Sequence, residues 1–199
     1  RHESYDLRQP VIFNVRFYDD TPDDQAAAYC YQRNKKAEVS GGGHDSENSL
    51  ALIFKDFNRF SKDNHTLTIQ GASGANRPWL HHVILRNSRN IVLDNLGIFS
   101  DPSGKVQDDA LEFDVNTMSW NTIPVGDCAN ANIVVKNCMI GSNGFTGLHA
   151  SGYDGITFEN NDFEAIMAKV GDTGNAVAWG ASAKFMFCKN IKFIRNNFR

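Results

Sequence analysis

The 199-residue sequence has no long apolar run. Its hydrophobic segments, such as 50–54, are far shorter than the roughly 20 residues that a membrane-spanning helix needs. It also has no excess of one charge, since 20 basic and 23 acidic residues give a net charge of −3. We therefore expect neither a membrane nor nucleic acid as a partner. With 41% hydrophobic residues, the composition is that of a globular domain with a buried core.

Cysteine is scarce, and its spacing does not indicate a metal site. Cys30, Cys128, Cys138 and Cys188 form no Cys-x-x-Cys pair and have no matching histidine pair nearby. A zinc site therefore has little support, and we expect no cofactor, with calcium possible if the protein is a lyase. Two disulfides or four buried thiols are both compatible with these positions. The first residues do not resemble a signal peptide, which a mature exported protein would have lost.

The most informative feature is a short segment that recurs four times. Its pattern is Asn or Gly, Ile, a variable residue, an apolar residue, and an asparagine at the end. The copies are 90–95, 132–137, 155–160 and 190–196. The alternation predicts a β-strand with one buried face. Equivalent isoleucines are 42, 23 and 35 residues apart, which fits a repeat of about 23 residues with loop insertions.

A second short apolar segment precedes each copy, and a third follows it. The preceding segments are 83–85, 111–113, 148–150 and 177–179. The following segments are 96–99, 138–140, 162–166 and 197–198. Three short strands per repeat predict a parallel β-helix, whereas a β-sandwich would not explain the fixed positions of isoleucine and asparagine.

The asparagines that end the recurring segment are expected to form a ladder. Asn95, Asn137 and Asn160 would stack from one turn to the next and cap carbonyl groups at the bend. In the fourth copy Arg195 occupies this position, and the asparagine is displaced to Asn196.

These strands resemble the right-handed parallel β-helix superfamily, which contains pectate lyases, polygalacturonases and related polysaccharide-degrading enzymes. The resemblance begins at 67–71, continues through 83–91 and extends to Arg199. It implies an all-β fold, a single-stranded right-handed parallel β-helix with an N-terminal capping α-helix. It also implies a secreted or periplasmic protein that acts on a polysaccharide.

The N-terminal part of the sequence predicts that helix. The segment 21–25 supplies a threonine N-cap, a proline at the first helical position and two acidic residues in the first turn. We predict a helix over 26–36, within an N-terminal segment 1–48 that precedes a parallel β-helix over 49–199. The last repeat ends in mid-turn, so we expect an incomplete C-terminal end that a further chain or segment covers.

The register of the strand that opens each repeat predicts two outward rows of side chains. One row is Ile84, Glu112 and His149. The next row is Arg86, Asp114 and Ser151. Glu112 and Asp114 have Cα atoms about 6.6 Å apart along one strand, which suits either retaining or inverting glycoside hydrolysis. Beside aliphatic Ile84, Glu112 fits the general acid, and beside Arg86, Asp114 fits the ionised base or nucleophile.

A glutamate and an aspartate in this arrangement, with a histidine on the next turn, are similar to the catalytic residues of iota-carrageenases. The pair Asp108-Asp109, followed on the next turn by the segment 147–150, also resembles polygalacturonases. These resemblances imply a glycoside hydrolase with Glu112, Asp114 and His149 as catalytic residues. The side chains expected to contact the substrate are those of Arg86, His82, Asp109, Trp120 and Lys169.

Two other functions fit the same sequence. In a polysaccharide lyase, Asp108, Asp109 and Asp114 would bind calcium while Arg86 or Lys169 abstracts a proton. In a tailspike or adhesin, the β-helix would bind a polysaccharide without cleaving it. The insertion at 116–131 favours an enzyme, because Trp120 in this loop offers an aromatic platform for sugar rings.

Overall fold

The structure is a computed structural model. It describes residues 11–15, 52–55, 66–71, 77–81, 83–99, 109–115, 126, 128–142, 146–165 and 181–199. Regular structure in these ranges consists of short β-strands, with no helix among them. Every described pair of neighbouring strands is parallel.

The strands form three sheets. Sheet A consists of β1 (Val11–Val15), β3 (Leu67–Gly71), β6 (Ile91–Asp94), β9 (Ile133–Lys136), β12 (Asp154–Glu159) and β15 (Lys189–Ile194). Sheet B consists of β2 (Leu52–Lys55), β5 (Val83–Arg86), β8 (Leu111–Asp114), β11 (Thr146–Ser151) and β14 (Ala181–Met186). Sheet C consists of β4 (Trp79–His81), β7 (Gly97–Phe99), β10 (Met139–Ser142), β13 (Asp162–Ala165) and β16 (Asn197–Phe198).

Successive strands from β2 onward enter sheets B, A and C in a fixed order. Three consecutive strands therefore make one repeat, and each strand pairs with its equivalents in the neighbouring repeats. Over the described residues, the prediction of an all-β structure built from parallel strands is confirmed. The right-handed winding and the single continuous helix stay predictions.

The core is a set of apolar columns that run across the repeats. Ile156 pairs with Ile133 on one side and with Ile191 on the other, and Ile91 continues the column because its neighbour Val92 pairs with Val134. Ile91, Ile133 and Ile156 are fully buried, and Ile191 is partly buried and packs against the same core. The equivalent isoleucines of the four copies therefore form one column across sheet A.

The asparagines of the recurring pattern occupy bends at both ends of the sheet A strands. Six of them have left-handed backbones with φ between 48° and 56°. They are Asn90, Asn95, Asn132, Asn137, Asn160 and Asn190. Asparagine tolerates this conformation better than other residues except glycine, and Gly155 (φ 99°) takes an equivalent position. Arg195 (φ 53°) occupies the equivalent bend position in the fourth copy. The pattern therefore marks a strand held between two bends.

The predicted asparagine ladder is correct in part. The side-chain amide of Asn160 donates to Asn137 (2.8 Å), but Asn137 donates to Asp94 rather than to Asn95 (2.8 Å). Carbonyl capping occurs one residue later, where the amide of Asn161 donates to Val135 O (2.9 Å). Asn196 is the next member of this inner ladder and is not displaced, because it accepts from the Asn161 backbone at 2.9 Å. The inner position suits capping because its side chain points toward the buried bend.

Two strand positions differ from the sequence prediction, and one predicted helix is outside the described residues. The strand in sheet B that precedes β15 is β14, not the segment 177–179. Sheet A also begins upstream of residue 49, because β1 pairs with β3. The predicted capping helix at 26–36 lies outside the described part of the chain.

The final repeat, β14 to β16, exposes aromatic side chains. Phe193 stacks on Phe158 at 5.1 Å between ring centroids, and Phe198 stacks on Phe163 at 4.7 Å. Even so, Phe193 is 44% exposed and Phe198 is 51% exposed. The covering segment expected at this end stays a prediction.

The isoleucine column provides a test of the fold. Ile156→Asp should abolish soluble folding, because an unpaired buried charge costs at least about 3 kcal/mol. Thr157→Asp is the matched control, since Thr157 is only half-buried and pairs with Lys192 in the next strand. Circular dichroism and thermal melting should show a folded protein for the control alone. Normal melting of Ile156→Asp would contradict the column.

The buried Cys138 thiol and Tyr153 phenol should make the fold less stable at alkaline pH. Burial raises the pKa of the Cys138 thiol from 9.0 to about 12 and that of the Tyr153 phenol well above 10.0. Below pH 9 both states keep these protons, so the stabilisation is complete. Above its unfolded pKa, 9.0 for the thiol and 10.0 for the phenol, each group loses its proton in the unfolded chain but retains it in the folded chain. The free energy of unfolding therefore falls with rising pH, by up to about 1.4 kcal/mol per pH unit for each group.

Denaturant unfolding between about pH 8 and pH 11 measures this slope. Cys138→Ala should unfold with a shallower pH dependence than the wild type, whatever its stability at pH 8. An identical slope in the two proteins would show that the thiol does not contribute.

Candidate functional site

The outer face of sheet B contains the predicted site residues. Glu112 pairs with Ile84 in β5 and with His149 in β11, and Arg86 pairs with Asp114. The register derived from the sequence is thus confirmed. Leu111 and Phe113 belong to the core, so the alternation of side chains places Glu112 and Asp114 on the opposite face.

The polar side chains on this face are more deeply buried than an open groove implies. Glu112 is 5% exposed and His149 is 3% exposed. Glu112 lies on a central strand, between Ile84 of β5 and His149 of β11. Asp114 is the more accessible carboxyl, with 23% of its side chain exposed.

His149 lies against an aspartate. Its Nδ1 atom is 3.1 Å from Oδ2 of Asp109, and both side chains are almost completely buried. Asp109 lies two residues before β8, so the start of this strand brings its carboxylate to the imidazole. Asp109 was predicted to contact the substrate, and in the structure it lies against His149.

Asp114 lies against a guanidinium. Nε of Arg86 donates to its Oδ2 at 2.9 Å, across neighbouring strands, as the register predicted. The backbone N–H of Asn87 also donates to the Asp114 carbonyl at 2.9 Å. The ion pair and the backbone bond together hold Asp114 beside the bend that follows β5.

A buried tyrosine supports that bend from inside. The Tyr153 hydroxyl donates to Leu85 O at 2.7 Å and accepts from the Ser88 backbone N–H at 3.1 Å. Its ring contacts Phe113 edge-on, with centroids 5.5 Å apart. Tyr153 therefore connects the core beneath β8 to the segment that follows Arg86.

Lys184 was not among the predicted site residues. This residue pairs with His149 in the outward row and continues the order Ile84, Glu112, His149 by one strand. Of the other predicted site residues, His82, Trp120 and Lys169 lie outside the described residues, as does Asp108 of the predicted calcium site.

Over the ranges that the structure covers, no group of three or more His, Cys, Asp or Glu side chains is arranged to hold a metal ion. The three cysteines in these ranges are free thiols, so none of them forms a disulfide. Within the same ranges, no helix is long and apolar enough to cross a membrane.

Comparisons with known proteins give no assignment. No family model matches the sequence, and no match is found among curated proteins or solved structures. The fold and site geometry are therefore the basis for the functional proposal.

Removing the Tyr153 hydroxyl tests how the bend is held. Tyr153→Phe keeps the ring packing but leaves Leu85 O and the Ser88 N–H without this buried partner, so we expect a loss of about 1–3 kcal/mol in unfolding free energy. Thr157→Val, which removes a hydroxyl from a half-buried side chain, is the control and should change stability by less. Chemical denaturation measures both. Equal effects would mean that the tyrosine bonds add nothing specific.

Proposed function

We propose that this chain is a carbohydrate-active enzyme that hydrolyses glycosidic bonds of a polysaccharide bound along sheet B. In this proposal the three sheets wind as a single right-handed parallel β-helix of the pectate-lyase-like superfamily, and the enzyme is secreted or periplasmic. Support for the winding comes from the three parallel sheets, which the chain visits in a constant order.

One observation carries the functional proposal: a carboxyl pair and an imidazole share the outer face of sheet B. Glu112 and Asp114 are two residues apart on β8, and His149 is directly beside Glu112 on β11. Neighbouring parallel strands are about 4.8 Å apart, so these groups fall within the span of one glycosidic linkage and its flanking sugars.

The proposed chemistry divides the work between the two carboxyls. Glu112 donates a proton to the leaving glycosidic oxygen, while Asp114 either activates a water molecule or attacks the anomeric carbon itself. Arg86 keeps Asp114 in place through their 2.9 Å contact. His149 orients Glu112 or relays its proton.

Access to the site should be from the Asp114 side. Asp114 retains an exposed fraction of 23%, whereas Glu112 is nearly covered. A sugar seated over Asp114 would bring its glycosidic oxygen toward the water-poor environment of Glu112, where electrostatic effects are stronger than in water. Lys184, farther along the same row, is positioned to contact the neighbouring sugar.

The contacts of the aspartates support hydrolysis over the lyase alternative. Asp109 faces His149 and Asp114 faces Arg86, at 3.1 Å and 2.9 Å. A calcium ion would have to compete with these basic side chains for both carboxylates. Arg86, one candidate base for a lyase, is likewise engaged with Asp114.

A panel of plant and algal polysaccharides tests the reaction class. Hydrolysis releases new reducing ends without an unsaturated uronate chromophore, whereas a lyase produces both. If neither reducing ends nor the chromophore appears, the result contradicts an enzymatic function and favours a binding protein. If the products carry the chromophore and a chelator abolishes the activity, the lyase replaces the hydrolase as the proposed function.

Glu112→Gln tests the assigned acid. The glutamine keeps the shape of the side chain but cannot supply the proton, so turnover should fall about a hundredfold or more while the melting temperature is retained. The control is Glu164→Gln, which makes the same change in sheet C and should keep wild-type turnover. If Glu112→Gln retained more than about a tenth of the turnover, the carboxyl would not be the acid.

A further inference from the structure

The contact between Asp109 and His149 defines which ring nitrogen meets the carboxylate. It is Nδ1, at 3.1 Å from Oδ2 of Asp109. His149 itself lies between Glu112 and Lys184 in the outward row. The ring thus has the Asp109 carboxyl at Nδ1 and two further ionisable neighbours, Glu112 and Lys184, on the adjacent strands.

The chemistry of the two groups determines the position of the ring proton. An ionised carboxylate is negatively charged and carries only lone pairs, so it favours a hydrogen rather than a lone pair on a nitrogen 3.1 Å away. In a neutral imidazole only one nitrogen is protonated, and the other has a lone pair. A carboxylate at Nδ1 therefore makes Nε2 the nitrogen that can accept a proton.

We propose that Asp109 is a positioning residue that fixes His149 in the Nδ1-protonated form, so that Nε2 acts as a proton acceptor in the reaction. This inference rests on the proposed function. It makes His149 a relay: after Glu112 has given its proton to the leaving oxygen, Nε2 takes up a proton from solvent and passes it to the Glu112 carboxylate, which restores the acid. Asp109 acts only through the imidazole and does not touch the substrate.

The burial of the pair favours a single tautomer. The side chain of Asp109 is 1% exposed and that of His149 is 4% exposed, so water cannot readily replace either partner. Moving the ring proton from Nδ1 to Nε2 would set the Nδ1 lone pair against the carboxylate. In a buried site this repulsion between a lone pair and a negative charge is costly, since little solvent is present to screen it.

Nitrogen-15 NMR of the wild-type protein tests the tautomer without any assay of activity. The full chain is labelled at its six histidines, and the His149 signals are identified as those missing from His149→Gln. At a pH where the ring is neutral, we expect a protonated Nδ1 and an unprotonated Nε2. A protonated Nε2 with a bare Nδ1 would overturn the proposal.

Asp109→Asn tests whether the carboxylate is the cause. Its amide can present NH₂ to the ring, so the Nδ1-protonated form should lose its preference, and kcat should fall by about tenfold to a hundredfold. Asp162→Asn, the same change in sheet C, should leave both the tautomer and kcat as in the wild type. An unchanged tautomer in Asp109→Asn would reject the role of Asp109.

A double-variant cycle separates positioning from general structural damage. If Asp109 acts through the imidazole, Asp109→Asn should lower kcat much less in a His149→Gln background than in the wild type. Equal losses in both backgrounds would mean that Asp109 acts independently of His149, against the proposal. Should no polysaccharide be cleaved, the proposed hydrolysis fails, while the NMR result still decides the tautomer.

Discussion

Parallel pairing in one fixed register is the constraint on which the rest of this structure depends. Because side chains alternate between the two faces of a strand, a shift of one residue would exchange the buried and outward sets. The column through Ile133 and Ile156 rules out such a shift in sheet A. In sheet B, the buried pair Leu111 and Leu148 does the same and thereby places Glu112 beside His149.

The bends preserve this register from one repeat to the next. Left-handed asparagines bound the sheet A strands, and the inner amide of Asn161 bonds both to Val135 O and to Asn196. These bonds satisfy backbone groups that the sheets cannot pair, since the chain turns there from one sheet into another. The recurring sequence pattern thus encodes the strand and its two bends together.

Much of the fold could be predicted from the sequence, because the periodic apolar residues report burial directly. The final strand of sheet B was placed wrongly at 177–179, although a signal was present. Val83 and Leu148 each precede an isoleucine of the column by eight residues, and the same interval before Ile191 points to Ala183 in β14. The contact of Asp109 with His149 could not be predicted, since it depends on how the chain enters β8, and alternation within a strand does not determine that geometry.

The charged pairs of sheets A and B differ in a way that stability alone does not explain. In sheet A, Lys136 and Asp94 are partly exposed, so their contact costs little and contributes little. In sheet B, Arg86 and the pair Asp109 and His149 are buried, where desolvation offsets much of the attraction. Replacing a buried ion pair by apolar side chains of similar volume is often neutral or stabilising. Retaining ionisable groups there is better explained by chemistry at the site than by packing of the fold.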